Sequence, residues 1–303
     1  MASVEVRGKQ DAFDAAEIVG VTPARDLDDP AVAETVRDAL AAHGVACLRF
    51  DAELDTATFR RVAELFGPVK VPIGRTRDGG ELHYDVEMQV IDSGFVLTEE
   101  LRQQLRGVSF GGDSDRPGLF ETFHVDDTYT ERPAAATIIN ARELPQSGGG
   151  DTCFMDMRAA YALLDAETRA RLRGLRAVYA YNNHGAFAPR ISASGPNDAL
   201  VEVIHPIVRR HPRTGGPSLY IDLDRATHVE GLPIGEGRAL LQRLQDHAEA
   251  KAPRYAHRWQ PHDVLVWDNA SVQHKASGDF PVGEARRFYR FLIAGDAPAA
   301  WEA

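Results

Sequence analysis

The chain has 303 residues, 44% hydrophobic and 26% charged, enough apolar material to bury a sizeable interior and too much for a disordered segment. Its formal net charge of -11 weighs against a nucleic-acid partner, which would call for clustered Lys and Arg on a basic domain. No run of about 18 apolar residues could span a membrane.

Met1 to Gly20 carries Glu5, Asp11, Asp14 and Glu17 and has no apolar stretch of signal-peptide length, so a cytoplasmic protein is expected. Cys47 and Cys153 permit one bridge at most, and both sit in apolar runs that read as buried thiols in a reducing compartment. Asp29-Pro30 opens a helix over Ala31 to Ala42, with Val32, Val36 and Leu40 on one face and Gly44 as the stop. Val45 to Phe50 reads as a strand. Asp55 to Phe66 resumes helical spacing through Phe59, Val62 and Leu65 and ends at Gly67-Pro68.

From Val69 to Phe123 the pattern weakens into glycine-marked loops around one strand, Met88 to Ile91, as a loop covering a substrate would. Ala135 to Ala141 reads as a strand and Gly148-Gly149-Gly150 as a turn. Met157 to Leu172 reads as one amphipathic helix with Ala160, Leu163 and Leu164 inward. The arginines Arg169, Arg171, Arg173 and Arg176 follow helical spacing and are expected on a solvated face. Further strands are expected at Ala177 to Tyr181, Val201 to Arg209, Ser218 to Leu223, Asp263 to Trp267 and Arg287 to Ala294. A hairpin turn is expected at His211 to Gly216, and a helix over Gly235 to Glu249 with Leu240, Leu241 and Leu244 inward. No linker or repeat divides the chain, so a single domain over residues 1–303 is expected, mainly β with flanking helices.

His124-Val125-Asp126 is the strongest chemical signal. Residues two apart on a strand share a face and lie roughly 6.6 Å apart, so an imidazole and a carboxylate can converge there. With a distant second histidine, for which His274 is the candidate, they would form a facial triad that holds Fe(II) and leaves positions open. Arg286 and Arg290 are an even number of residues apart and share a face with Phe288, while Arg287 points away. A guanidinium aimed into a barrel calls for an anion.

The ordered set of motifs resembles the taurine dioxygenase family of Fe(II)- and 2-oxoglutarate-dependent enzymes, from about Val45 to Pro298. Its pieces are Phe66-Gly67-Pro68, the segment from Phe123 to Pro133, Gly149 to Thr152, Met157 to Tyr161 and His205 to Arg209. They continue with Trp259-Gln260-Pro261, Trp267-Asp268-Asn269, His274, Arg286, Arg290 and Gly295-Asp296. The resemblance implies a double-stranded β-helix (jelly roll, cupin-like) with Fe(II) on His124, Asp126 and His274. It implies that Thr152 and Arg286 hold the far carboxylate of 2-oxoglutarate, with Arg290 near the other. It also implies consumption of O2 and 2-oxoglutarate, release of succinate and CO2, and oxidation of a small-molecule substrate. Asp126 separates the chain from halogenating relatives, which carry a small residue there. An extra residue within Pro281 to Ala285 departs from the family pattern, and strand parity favours Arg286 over Arg287 as the carboxylate partner.

The family places substrate contacts before the metal motif, which singles out His83 and Tyr84. Phe120-Glu121 stands where the taurine enzyme has polar amide-bearing residues, which weighs against taurine itself. His184 and Arg190 are candidates for a lid. His205 reads as a hydrogen-bonded structural histidine, His262-Asp263 as a loop pair, and Trp267 and Tyr161 as core aromatics. The expected substrate is a small polar organic acid or amino-acid-like molecule, with hydroxylation as the default outcome and desaturation or carbon–heteroatom cleavage open on the same residues. The alternative is a metal-binding jelly roll without redox chemistry, an isomerase, hydrolase or sensor, which needs the three ligands only. Homo-oligomerisation is left open.

Overall fold

Asp29 and Pro30 begin the first long helix for the reason their chemistry suggests. In the computed structural model, which describes residues 4–8, 13–71, 73–75, 81–83, 88–92, 122–180, 202–281 and 284–302, the Asp29 carboxylate accepts from the Ala31 amide at 2.8 Å and Pro30 fills the first turn. Strands β1 (Glu5–Arg7) and β2 (Ala16–Val19) and the short helix α1 (Pro23–Asp26) precede it. This helix, α2 (Pro30–His43), ends on Gly44 at φ 78°, whose amide reaches Leu40 O. A Cβ on Gly44 would lie 2.8 Å from Val272 Cγ1, so the helix end packs directly against the sheet behind the site. Strand β3 (Val45–Leu48) follows, then α3 (Thr56–Glu64), capped by the Asp55 carboxylate on the Thr58 amide at 2.7 Å.

Next come β4 (Val69–Lys70), β5 (Ile73–Arg75), β6 (Glu81–His83), β7 (Gln89–Asp92), β8 (Ala136–Glu143) and β9 (Thr152–Asp156), then α4 (Met157–Ala162) and α5 (Ala166–Leu172). They lead into β10 (Arg176–Ala180), β11 (Glu202–Pro206), β12 (Val208–Arg210), β13 (Pro217–Leu219) and β14 (Ala226–Val229). After the long helix α6 (Ile234–Lys251) come β15 (Arg254–His257), β16 (Val264–Asp268), β17 (Val272–Ala276) and β18 (Arg287–Ile293).

The large sheet runs β1-β2-β3-β16-β8-β18-β4, with β7 also on β18, and only its β2–β3 pair is parallel. A smaller sheet, β15-β9-β17, faces it. Alternation along the strands explains the sandwich. In β16, Leu265 and Trp267 meet Phe154 of β9 and Val272 of β17 between the sheets, whereas Val264 and Val266 turn outward under α2 and α3. In β9, Phe154 points between the sheets and Met155 outward under α6. Both faces are covered, which is why these strands read as continuous apolar runs. The result is a jelly roll with helices on its flanks.

Three expectations are corrected. The helix expected from Met157 to Leu172 is two helices, because Asp165 caps a new start on the Thr168 amide at 2.7 Å, and Leu163 at the break is 47% exposed rather than inward. The strand expected from Val201 to Arg209 divides at Ile207: β11 pairs with β10, and β12 switches partner to β13. Cys153 is only half-buried, unlike Cys47, and both thiols are free. The hairpin at His211 to Gly216 is present between β12 and β13, and the four arginines are exposed. None of the described helices is long and apolar enough to cross a membrane.

Candidate active site

His124 and His274 are joined before their side chains are considered. Each backbone amide donates to the other's carbonyl, at 3.1 and 3.0 Å, in an isolated bridge that brings the imidazole centroids within 4.3 Å. His274 belongs to β17, but His124 is not in a strand and Asp126 opens a turn, so the extended geometry expected for His124-Val125-Asp126 is replaced by a tight one. The convergence survives: His124 Nε2 lies 3.9 Å from Asp126 Oδ1, and His274 Nε2 lies 3.7 Å from Asp126 Oδ2.

Backing groups set which atoms face inward. His124 Nδ1 donates to Thr122 O at 3.0 Å, which leaves the Nε2 lone pair toward Asp126. The Thr137 hydroxyl accepts from Asn269 Nδ2 at 3.0 Å, so its single proton goes to Asp126 Oδ2 at 2.7 Å. The turn itself is held from outside. Asp127 sits at φ 65°, its carboxylate paired with the Lys70 ammonium, which also donates to Thr130 Oγ1 at 3.2 Å and Arg132 O at 2.6 Å.

Burial raises the Asp126 carboxyl, but His274, Arg290 with Nη1 at 3.7 Å, His124 and the Thr137 hydrogen bond outweigh it and hold the group down at about 2. Burial, helped by His124, pushes the His274 imidazole down to about 3, so it is a neutral donor at ordinary pH. His274 Nδ1 is buried without a hydrogen-bond partner among the described residues, and its Nε2 is too far from Asp126 for a hydrogen bond. Two ligand atoms 3.7 to 3.9 Å apart can both reach an ion through bonds of roughly 2.1 Å. The set therefore fits a divalent metal: two imidazoles and one carboxylate, with His124 and Asp126 each held by a hydrogen bond that fixes its direction.

The expected anion-binding residues lie further along the same inter-sheet face. Across β9 and β17, Phe154 stands opposite His274 and Thr152 opposite Ala276, which places Thr152 roughly 7 Å along the inter-sheet face. Arg286, just before β18, donates from Nε to Gly150 O at 2.8 Å and from Nη2 to Thr152 Oγ1 at 3.3 Å. Gly150, at φ 73°, is required there, since a Cβ would press to 3.1 Å of the Arg286 Nε and Cδ atoms. Burial lowers the Arg286 guanidinium to about 10 against the opposing pull of Asp151 and Asp279. Arg290 donates to Gln89 Oε1 at 2.7 Å and reaches toward Asp126, while Arg287 points outward to Glu143 at 2.7 Å. A register shift between Arg287 and Phe288 interrupts the simple parity rule, yet Arg286 is the buried guanidinium and Arg287 the half-buried one that faces outward.

Of the substrate candidates, His83 falls in β6, and Tyr84, Phe120, Glu121, His184 and Arg190 lie outside the described residues. His205 is buried, its Nε2 between the Thr128 and Thr130 carbonyls at 3.0 Å each, and burial lowers its pKa to about 4. Trp267 and Tyr161 are core residues. His262 and Asp263 lie in the turn before β16, as read from the sequence, and Asp263 is buried there: with His257 and Cys47 it forms a second group of potential ligands. There each polar atom is already engaged, His257 Nε2 on Asp263 at 3.0 Å, Tyr255 Oη on His257 Nδ1 at 2.9 Å and Arg49 beside Asp263 at 3.3 Å, as a structural network requires. Sequence reasoning missed Lys70, Thr137 and the roles of Asn269 and Trp259. Asn269 and Trp259 stood inside recognised motifs, whereas Lys70 and Thr137 gave no local signal.

The sequence profile of the taurine catabolism dioxygenase TauD, TfdA family matches residues 6–292. The chain is 38% identical over 178 residues to the alpha-ketoglutarate-dependent 2,4-dichlorophenoxyacetate dioxygenase of Cupriavidus pinatubonensis, covering 58% of this chain and 61% of that protein. It is 36% identical over 184 residues to the (S)-phenoxypropionate/alpha-ketoglutarate-dioxygenase of Sphingobium herbicidovorans, covering 57% and 62% respectively. The chain thus matches about three fifths of the length of these curated relatives. Among solved structures, a taurine dioxygenase from Burkholderia xenovorans superposes with a TM-score of 0.74 at 25% identity, covering 99% of this chain and 93% of that one.

Proposed function

Because this chain belongs to the taurine catabolism dioxygenase TauD, TfdA family, we propose that it is a non-haem Fe(II)- and 2-oxoglutarate-dependent dioxygenase. The observation that carries the reading is the convergence of His124, Asp126 and His274, with Thr152 further along the same inter-sheet face and Arg286 bonded to it. When bound, Fe(II) with 2-oxoglutarate and O2 supplies the oxidising power for a substrate C–H bond, with release of succinate and CO2.

The chain's own residues prepare the cleft for that chemistry. His124 and His274 present ring nitrogens, the latter kept neutral by burial, and Asp126 stays ionised and would occupy a ligand position, consistent with oxygenation and not halogenation. Arg286 and Thr152 offer charge-assisted and neutral hydrogen bonds to the distal carboxylate of the cosubstrate. Arg290 places positive charge near the metal end. A non-redox metalloprotein would have no use for an anion anchor in line with the metal. One domain carries the whole apparatus. The substrate is a small organic acid, a class supported by the phenoxyacetate and phenoxypropionate named for the relatives.

The test is 2-oxoglutarate-dependent, O2-dependent succinate formation, screened for stimulation by small carboxylic acids. The wild type is expected to form succinate with Fe(II) and to respond to at least one aryloxy or alkyl acid. Succinate formation that persists in both His124→Ala and Asp126→Ala would refute the metal assignment.

A further inference from the structure

The anion end of the cleft contains a hydroxyl whose polarity is decided by its neighbours. Thr152 Oγ1 accepts from the Trp259 indole Nε1 at 3.1 Å and from Arg286 Nη2 at 3.3 Å. A threonine hydroxyl has two acceptor lone pairs and one proton. With both lone pairs taken by N–H donors, the group can meet a ligand only by donating. The same logic operates at the metal end, where Asn269 occupies the Thr137 oxygen and directs its proton to Asp126.

The indole is packed from two sides with its N–H on Thr152. Strand β15 runs beside β9 with His257 opposite Thr152, and the chain beyond it brings Trp259 back over the pair. Its ring packs edge-on against His257 at 4.7 Å and tilted against Phe288 at 4.5 Å. His257 is in turn fixed by Asp263 and Tyr255. Phe288 also underlies the Arg286 guanidinium at 4.4 Å, so one aromatic floor aligns both donors that converge on Thr152.

We propose that Trp259 is a positioning residue for the cosubstrate: by donating to Thr152 it forces the threonine hydroxyl to act as a hydrogen-bond donor, which tunes the cleft for a 2-oxo acid with a second, distal carboxylate. This rests on the dioxygenase reading above. Replacing the indole with a ring that has no N–H frees a lone pair on Thr152 and lets its proton rotate toward other acceptors, so the donor aimed at the carboxylate is lost for part of the time. A 2-oxo acid that lacks the distal carboxylate makes no such contact and should not sense the change.

The experiment is an anaerobic titration of the Fe(II)-loaded protein with 2-oxoglutarate and, separately, with pyruvate, which has the 2-oxo acid but no distal carboxylate, following the visible charge-transfer absorption. In Trp259→Phe the affinity for 2-oxoglutarate should fall about fivefold, the worth of one ordinary hydrogen bond, while that for pyruvate is unchanged. In a Thr152→Val background the same Trp259→Phe change should have no further effect, whereas in Thr152→Ser it should keep its full effect. Equal losses for both acids, or additivity with Thr152→Val, would overturn the inference and leave the dioxygenase reading intact. Absence of any 2-oxoglutarate-dependent absorption in the wild type would overturn both. A measurement free of cosubstrate and of Trp259→Phe folding is the indole N–H resonance of the metal-free protein, which has only three tryptophans. The Trp259 signal should shift in Thr152→Val and hold in Thr152→Ser, and an unmoved signal in Thr152→Val would also overturn the inference.

Discussion

The metal end and the anion end of the cleft are built by opposite means. At the metal end, two of the three proposed ligands stand outside regular strands: His124 is tied to β17 by one bridge, and Asp126 lies in a turn with Asp127 at positive φ. Side chains from distant elements prop that turn, Lys70 from β4 and Thr137 from β8. At the anion end, Thr152 begins a strand, Arg286 precedes another, and an aromatic floor fixes them. The contrast teaches that irregular backbone can position a proposed ligand pair when each member is oriented by its own hydrogen-bond partner, while a proposed carboxylate anchor can take its geometry from the sheets directly.

The contrast breaks most visibly if its two ends are damaged separately. Asp126→Ala should reduce Fe(II)-dependent succinate formation to background, because it removes a ligand and leaves Arg290 beside two imidazoles; 2-oxoglutarate concentration should not rescue it. Arg286→Gln should instead raise the 2-oxoglutarate requirement by about tenfold or more, the loss of a charge-assisted bond, and excess cosubstrate should restore turnover. Fe(II) affinity should be unchanged in Arg286→Gln and lost in Asp126→Ala. Rescue of both variants by 2-oxoglutarate would remove the distinction between the ends.

Lys70→Met sharpens the point that the metal end depends on props. It leaves the Asp127 carboxylate, which is raised by burial, without its cation. Stability should fall by about 2 kcal/mol, less than for a fully buried pair because Lys70 keeps some solvent, and Fe(II) affinity should fall about tenfold. A variant that melts like the wild type and binds Fe(II) equally would show the turn to be self-supporting.

His205 adds a pH dependence behind that turn. Its pKa is depressed to about 4 in the fold from an ordinary 6.5, so the unfolded chain takes up the proton first. The stabilisation is full above about pH 6.5 and is lost as pH falls through about 4, by about 3 kcal/mol at most. Melting curves between pH 7 and pH 4 should show this slope in the wild type and a shallower one in His205→Gln.

The sequence carried the architecture where one physical cause acted alone. Terminal signals and periodicity marked α2 and α3, periodicity alone marked α6, and continuous apolar runs marked β3, β8 and β16, since both faces of those strands are covered. It was less legible where a local competitor intervened, as when Asp165 capped a second helix inside an amphipathic run. The short strands β9, β15 and β17 escaped because each is a few residues of mixed polarity whose pairing is decided across the fold. In the site, His124, Asp126 and His274 stood out by residue type and order. Lys70, which supports their turn across 57 residues of sequence, could not, because a lone lysine in a weakly patterned stretch carries no local sign of its partner. Trp259 was visible within a motif, but its role emerges only from the two donors meeting on one hydroxyl.

The most direct test of the central claim is optical. Anaerobic addition of one equivalent of Fe(II) followed by 2-oxoglutarate should produce a weak visible charge-transfer band in the wild type, present at raised 2-oxoglutarate in Arg286→Gln and missing in Asp126→Ala. A wild type that stays colourless with both components, or an Asp126→Ala variant whose band matches it, would contradict the account.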